Sequence, residues 1–130
     1  MKLLLDTHIF LWYITDDPRL TPPIIAIIRD PFNEVYLSVI SIWEVIVKCK
    51  LGKLYLPQSP DIYIPQQRQR HKIESIPIDE DSVVKLIKLP LLHKDPFDRM
   101  LLCQALQYDL TVVSVDEAVR AYSGYISVVP

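Results

Sequence analysis

Glycine is nearly absent from this chain: among 130 residues only Gly52 and Gly124 occur. A GxGxxG turn or a P-loop needs several glycines to bring backbone N–H groups against phosphate, so neither can be written here. Cysteine is equally scarce. Cys49 and Cys103 lie far apart in helical patterns without the paired spacing of a zinc site, and they read as buried thiols of a reducing compartment. The histidines His8, His71 and His93 stand alone, with no HExxH spacing, and there is no GxSxG element. No apolar run approaches membrane-spanning length. The leucines ahead of Asp6 are too few for a signal-peptide core, so the expected location is the cytoplasm, with no membrane partner.

What is abundant is apolar. Half of the residues are hydrophobic, and the mean hydropathy is slightly positive. The length suits one domain spanning residues 1–130 with a substantial core. The apolar surplus covers a subunit or partner interface, or simply fills the core; composition leaves both open. The formal charge of −2 does not describe a general polyanion binder.

Four carboxylates stand out because each interrupts or caps an apolar segment. Asp6 follows Leu3-Leu4-Leu5, and Asp116 closes Thr111-Val112-Val113-Ser114-Val115. Glu44 is the only charge between Val39 and Val47, and Asp98 opens the run from Met100 to Leu106. An ionised carboxylate in apolar surroundings is costly unless a cation or hydrogen-bond donors compensate it. Converging in space, the four would bind a divalent ion, and their oxygen-only chemistry selects Mg²⁺ or Mn²⁺ over zinc. With them neutralised, the 16 acidic side chains fall to 12 against 14 Lys and Arg, so a nucleic-acid substrate stays compatible with the acidic balance.

Strands are expected at 2–5, 34–37, 73–76, 111–115 and 126–129. Helices are expected at 8–14, 21–29, 38–51, 62–72, 79–88, 96–108 and 116–122, with Gly52 ending the third. Pro65 leaves the start of the fourth helix open. This alternation predicts an α/β domain with a mainly parallel sheet, whose ligands bind beyond the carboxyl ends of the strands where strand order reverses. Asp6 and Asp116 each fall one residue past an expected strand. Taken singly, both read equally well as helix N-caps. Glu44 does not: Ile40, Val47 and Leu51 share its helix face, so it sits in an apolar stripe. Its structural alternative is a buried salt bridge to an unidentified Lys or Arg. Asp95, Pro96 and Asp98 fit a capping box, with Asp95 as cap and Asp98 turned towards the core. Arg99 is placed to orient a carboxylate, to touch a phosphate, or to lie on the surface.

The segments Leu3-Leu4-Leu5-Asp6-Thr7-His8, Ser41-Ile42-Trp43-Glu44, Leu51-Gly52-Lys53-Leu54, His93-Lys94-Asp95-Pro96-Phe97-Asp98-Arg99-Met100-Leu101 and Val113-Ser114-Val115-Asp116 occur in this order. Together they resemble a PIN domain of the VapC-type toxin ribonucleases found in bacterial and archaeal toxin–antitoxin pairs. The resemblance spans nearly the whole chain, and its most specific piece is Asp95 to Leu101. It implies a three-layer α/β/α fold, usually dimeric, and a metal-dependent endoribonuclease. Carried over position by position, Asp6, Glu44, Asp98 and Asp116 are its acidic quartet, and Thr7 is the hydroxyl residue supporting the first acid. Ser114 stands where the family often has threonine, a mild departure that keeps the hydroxyl. The resemblance also implies an RNA substrate, a cognate antitoxin protein and a homodimer.

Two other readings compete. An aspartyl-phosphate phosphotransferase would use Asp6 as nucleophile, but such enzymes want a second acid two residues on, where this chain has His8. A non-catalytic RNA- or protein-binding module would keep the acids as structural groups.

Overall fold

Three consecutive leucines cannot all face one side of a strand, and β1 (Lys2–Leu5) buries them completely on two. In the computed structural model, which describes residues 1–130, Leu3 and Leu5 enter one hydrophobic core and Leu4 enters another. Burial on both faces is the condition of a central strand in a parallel sheet. β1 pairs in parallel with β2 (Glu34–Ser38) and with β4 (Thr111–Val113), in registers that set Leu4 against Tyr36 and Leu5 against Val113. β3 (Glu74–Ile76) and β5 (Val128–Val129) complete an all-parallel sheet in the order β3-β2-β1-β4-β5.

Seven helices cover the two faces, which makes the expected α/β/α arrangement. One core takes Ile9 and Phe10 from α1 (Thr7–Ile14), Ile24 and Ile28 from α2 (Pro22–Arg29), and Ile64 from α4 (Pro60–Arg70). The other takes Leu101 to Cys103 from α6 (Pro96–Tyr108) and Val119 from α7 (Glu117–Arg120). α3 (Val39–Lys50) serves both, sending Val45 to the first core and Ile40 to the second. α5 (Glu80–Val84) packs beside α6. No helix is long and apolar enough to cross a membrane.

The chain runs from β1 outwards to β3, then returns across to β4 on the opposite side of β1. The reversal between β1 and β4 leaves a crevice beyond their carboxyl ends. There the Asp6 N–H donates to the Val113 carbonyl at 3.0 Å, one step past the last strand pair, so Asp6 is locked at the crevice floor.

Several element limits differ from the sequence reading. β4 stops at Val113, so Asp116 lies three residues beyond the strand, not one. Ser114 still gives its N–H to the Val129 carbonyl, but the chain then bends as the Ser114 hydroxyl takes the Asp116 N–H at 3.1 Å. α4 begins at Pro60, and Pro65 is accommodated inside it. The helix expected over 79–88 tightens after Val84 into a 3-10 turn, Lys85–Ile87. The expected Gly52 stop is a Schellman motif: Gly52 sits at φ 70°, its N–H bonds to Cys49, and the Lys53 N–H bonds to Lys48.

Candidate functional site

Asp6 occupies the N-cap position of α1, yet its carboxylate caps nothing. It accepts instead from the Ser114 hydroxyl, at 2.6 Å across the β1–β4 reversal. Both residues are buried, with Ser114 fully so. Glu44 reaches the same crevice from α3 and is 5% exposed. Its Oε1 lies 2.8 Å from the Thr7 hydroxyl, and its Oε2 pairs with Lys48 Nζ at 2.8 Å. Thr7 is also 2.8 Å from Ser41 Oγ, so Ser41 donates to Thr7 and Thr7 to the carboxylate. The buried salt bridge considered for Glu44 therefore exists, with Lys48 one helical turn on. It does not make Glu44 an ordinary surface pair, because the carboxylate is buried while the ammonium is a third exposed.

Asp95 caps α6 as expected, accepting from the N–H groups of Phe97 at 2.9 Å and Asp98 at 3.1 Å. Only half of the capping box forms, since the Asp98 carboxylate turns away to pair with His93 Nε2 at 2.8 Å. Asp116 does cap α7, through a 2.9 Å bond from the Ala118 N–H. One ligand atom each from His93, Asp98 and Asp116 lies within 4.8 Å of the others.

These groups share one electrostatic neighbourhood. Burial pushes the Asp98 carboxyl up to about 6; the His93 hydrogen bond opposes this, while Asp6, Asp95 and Glu44 add to it by repulsion. Asp6 is also raised, chiefly by burial, against the lowering effects of Ser114 and His8 and with further repulsion from Glu44. The crevice thus gathers carboxylates that repel one another, with Asp6, Glu44 and Asp98 buried and Asp116 exposed at its edge. That donor set fits a hard divalent cation, which removes the repulsion by coordination.

Other expectations need correction. Thr7 supports Glu44 with its hydroxyl rather than the first acid, tying two sequence-distant acids into one site. Arg99 orients no carboxylate: Nη1 donates to the carbonyls of Pro90 and His93 and to the Tyr122 hydroxyl, at 3.2 to 3.3 Å. His93 looked isolated in sequence, but the turn at Asp95-Pro96 folds it back on Asp98. A histidine a few residues ahead of a proline-initiated helix bearing an inward acid is the signal that was available. His8 is exposed on α1. The largest cavity, about 480 Å³, lies beside the acids rather than among them, lined by Ile40, Trp43, Leu86, Leu91, Phe97 and Met100 with others. Trp43 and Phe97, neighbours of Glu44 and Asp98 in sequence, meet edge to face at 5.1 Å.

Residues 3–125 match the family model of the PIN domain. The chain belongs to the PIN domain family. Among curated relatives it is similar to ribonuclease VapC16 of Mycobacterium tuberculosis, 33% identical over 54 residues. That stretch covers 42% of this chain and 38% of the relative, so the match spans well under half the relative's length. Solved structures carry the same PIN architecture along the whole chain. VapBC2 from Rickettsia felis, bound to a DNA fragment from its promoter, superposes with a TM-score of 0.73 at 14% identity, covering 99% of this chain and 98% of that one. VapBC-1 from nontypeable Haemophilus influenzae gives 0.65 at 16% identity, over 99% and 97% of the two chains. VapBC-5 of Mycobacterium tuberculosis, from a family of toxin–antitoxin systems, gives 0.60 at 21% identity, over 98% and 95%. At these identities the likeness is one of fold.

Proposed function

We propose that this PIN domain is a metal-dependent endoribonuclease and the toxin of a toxin–antitoxin pair. The reading is supported by the acidic crevice where the sheet order reverses: Asp6 and Glu44 repel Asp98 there, and Asp98 lies within ligand distance of His93 and the exposed Asp116. Asp6, Asp98 and Asp116 would hold Mg²⁺ or Mn²⁺. When bound, the ion lowers the pKa of water and offsets charge at the RNA phosphate. The chain's own groups set the geometry in advance. Ser114 fixes one oxygen of Asp6. Thr7 and Lys48 engage both oxygens of Glu44, which suits it to orient water at the edge of the site and to add negative charge. Lys50 and Lys53, at the end of α3, are candidates for phosphate contacts that position the strand without reading its sequence.

The toxin role is supported by the similarity to a curated VapC ribonuclease and to solved toxin–antitoxin complexes. The apolar cavity at Trp43 and Phe97 suits an antitoxin segment, with a basic side chain reaching the acids. Exposed Trp43, Ile87 and Leu91 also suit a homodimer or partner contact. The test is cleavage of total RNA by the wild-type protein and by Asp6→Asn and Asp98→Asn variants verified as folded. Each substitution is expected to lower the cleavage rate by roughly a hundredfold or more. Cleavage that survives either change defeats the assigned site, and sequencing the wild-type products identifies the RNA cut.

A further inference from the structure

We propose that His93 is a nitrogen ligand of the metal site, alongside Asp98 and Asp116, and tilts the site towards Mn²⁺ over Mg²⁺. The proposal rests on the metal reading above and adds to it a ligand outside the acidic quartet.

Spacing is the first argument. Neighbouring ligands of an octahedral ion bonded at roughly 2.1 Å lie about 3 Å apart, and opposite ones about 4.2 Å. His93 Nε2 and Asp98 Oδ2 are 2.8 Å apart, and Asp116 brings an oxygen into a set whose members all lie within 4.8 Å. Three donors from two stretches of the chain, 93–98 and the start of α7, therefore fall within reach of one coordination sphere. Nε2 is the ring nitrogen that faces Asp98, and a bound ion would replace the hydrogen bond between them.

Competition among the donors is the second. Both Glu44 oxygens already accept, from Thr7 and from Lys48. Asp6 has given one oxygen to Ser114. Of the side chains in the crevice, His93 offers a nitrogen that a cation gains without breaking a salt bridge to lysine, in exchange for its hydrogen bond to Asp98.

The third is the hold on its backbone. Residues 90–93 form no helix or strand, yet the fully buried Tyr122 hydroxyl takes the N–H of Leu92 at 2.9 Å and of His93 at 3.0 Å and donates to the Pro90 carbonyl at 2.7 Å. Arg99 closes the other side on the Pro90 and His93 carbonyls. This is how a coordinating imidazole is aimed: the main chain beneath it is fixed by groups that touch no ion. The consequence for selectivity follows from ligand chemistry. Mg²⁺ favours an all-oxygen shell, whereas imidazole is a better ligand for Mn²⁺.

Pulsed electron paramagnetic resonance on the full chain loaded with Mn²⁺ alone tests this directly. A ¹⁴N coupling is expected in the wild type, retained in His8→Gln and lost in His93→Gln. Mn²⁺ affinity should fall in His93→Gln by roughly tenfold to a hundredfold, and Mg²⁺ affinity, measured by competition, by less. The wild-type spectrum carries the test even if a variant folds poorly. Bound Mn²⁺ without a nitrogen coupling, or a coupling that persists in His93→Gln, overturns the His93 assignment and leaves the metal reading standing. Failure of Mn²⁺ to bind the wild type overturns both.

Discussion

The crevice has two sides that handle negative charge differently. On the β1–α3 side, Asp6 and Glu44 are buried and tied by short bonds from Ser114, Thr7 and Lys48. On the α6–α7 side, Asp98 has one partner, His93, and Asp116 gives one oxygen to the Ala118 N–H. The first side is satisfied by the protein itself. The second keeps donors that cluster within ligand distance of one another. A site built this way has a rigid acidic floor and a more open wall, and cation binding is expected to change the wall more than the floor.

Lys48→Met attacks the floor and has the largest expected effect on stability. It leaves a buried carboxylate with Thr7 as its remaining donor, at a cost of about 1–3 kcal/mol, read from denaturant unfolding. An unchanged midpoint would mean that the lysine, a third exposed, contributes no more than a surface ion pair.

The wall is tested through pH. Asp98 titrates near 6 in the folded metal-free protein against 3.8 for the free side chain, so the folded state keeps a proton that the unfolded chain has released. The associated stability is present below about pH 4 and is lost as pH rises through 6. Asp6, also raised, acts in the same direction. The metal-free protein should therefore melt lower at pH 7 than at pH 5. Asp98→Asn should flatten this slope and raise the pH 7 midpoint by roughly a few degrees. A profile that keeps its full slope in Asp98→Asn would place the destabilising charge elsewhere.

The same two sides differ in how far the sequence could be read. The burial of Glu44 is legible from its place in an apolar stripe, as is the salt bridge to Lys48 one turn on that offers a structural reason for it, and the parallel sheet is legible from the alternation of short apolar strands with helices. The α/β/α layering and the PIN resemblance both hold. Local rules failed where a contact joins distant elements. Thr7 reaches Glu44 across 37 positions, and no spacing rule connects them. Arg99 beside Asp98 is open to carboxylate, phosphate or surface roles in the sequence, whereas its guanidinium is drawn to the Pro90 and His93 carbonyls and the Tyr122 hydroxyl. β4 was read too long because Val115 continues its apolar pattern, while the Ser114 hydroxyl diverts the Asp116 N–H and turns the chain. His93 was missed because its partner lies across an irregular turn, which no periodicity spans.

The central claim is that these acids act through a divalent ion to cut RNA. The most direct measurement is RNA cleavage by the purified protein after exhaustive EDTA treatment, followed by addition of Mn²⁺ or Mg²⁺. Cleavage is expected to be abolished by EDTA and restored by either ion, more effectively by Mn²⁺. Cleavage undiminished by EDTA would contradict it.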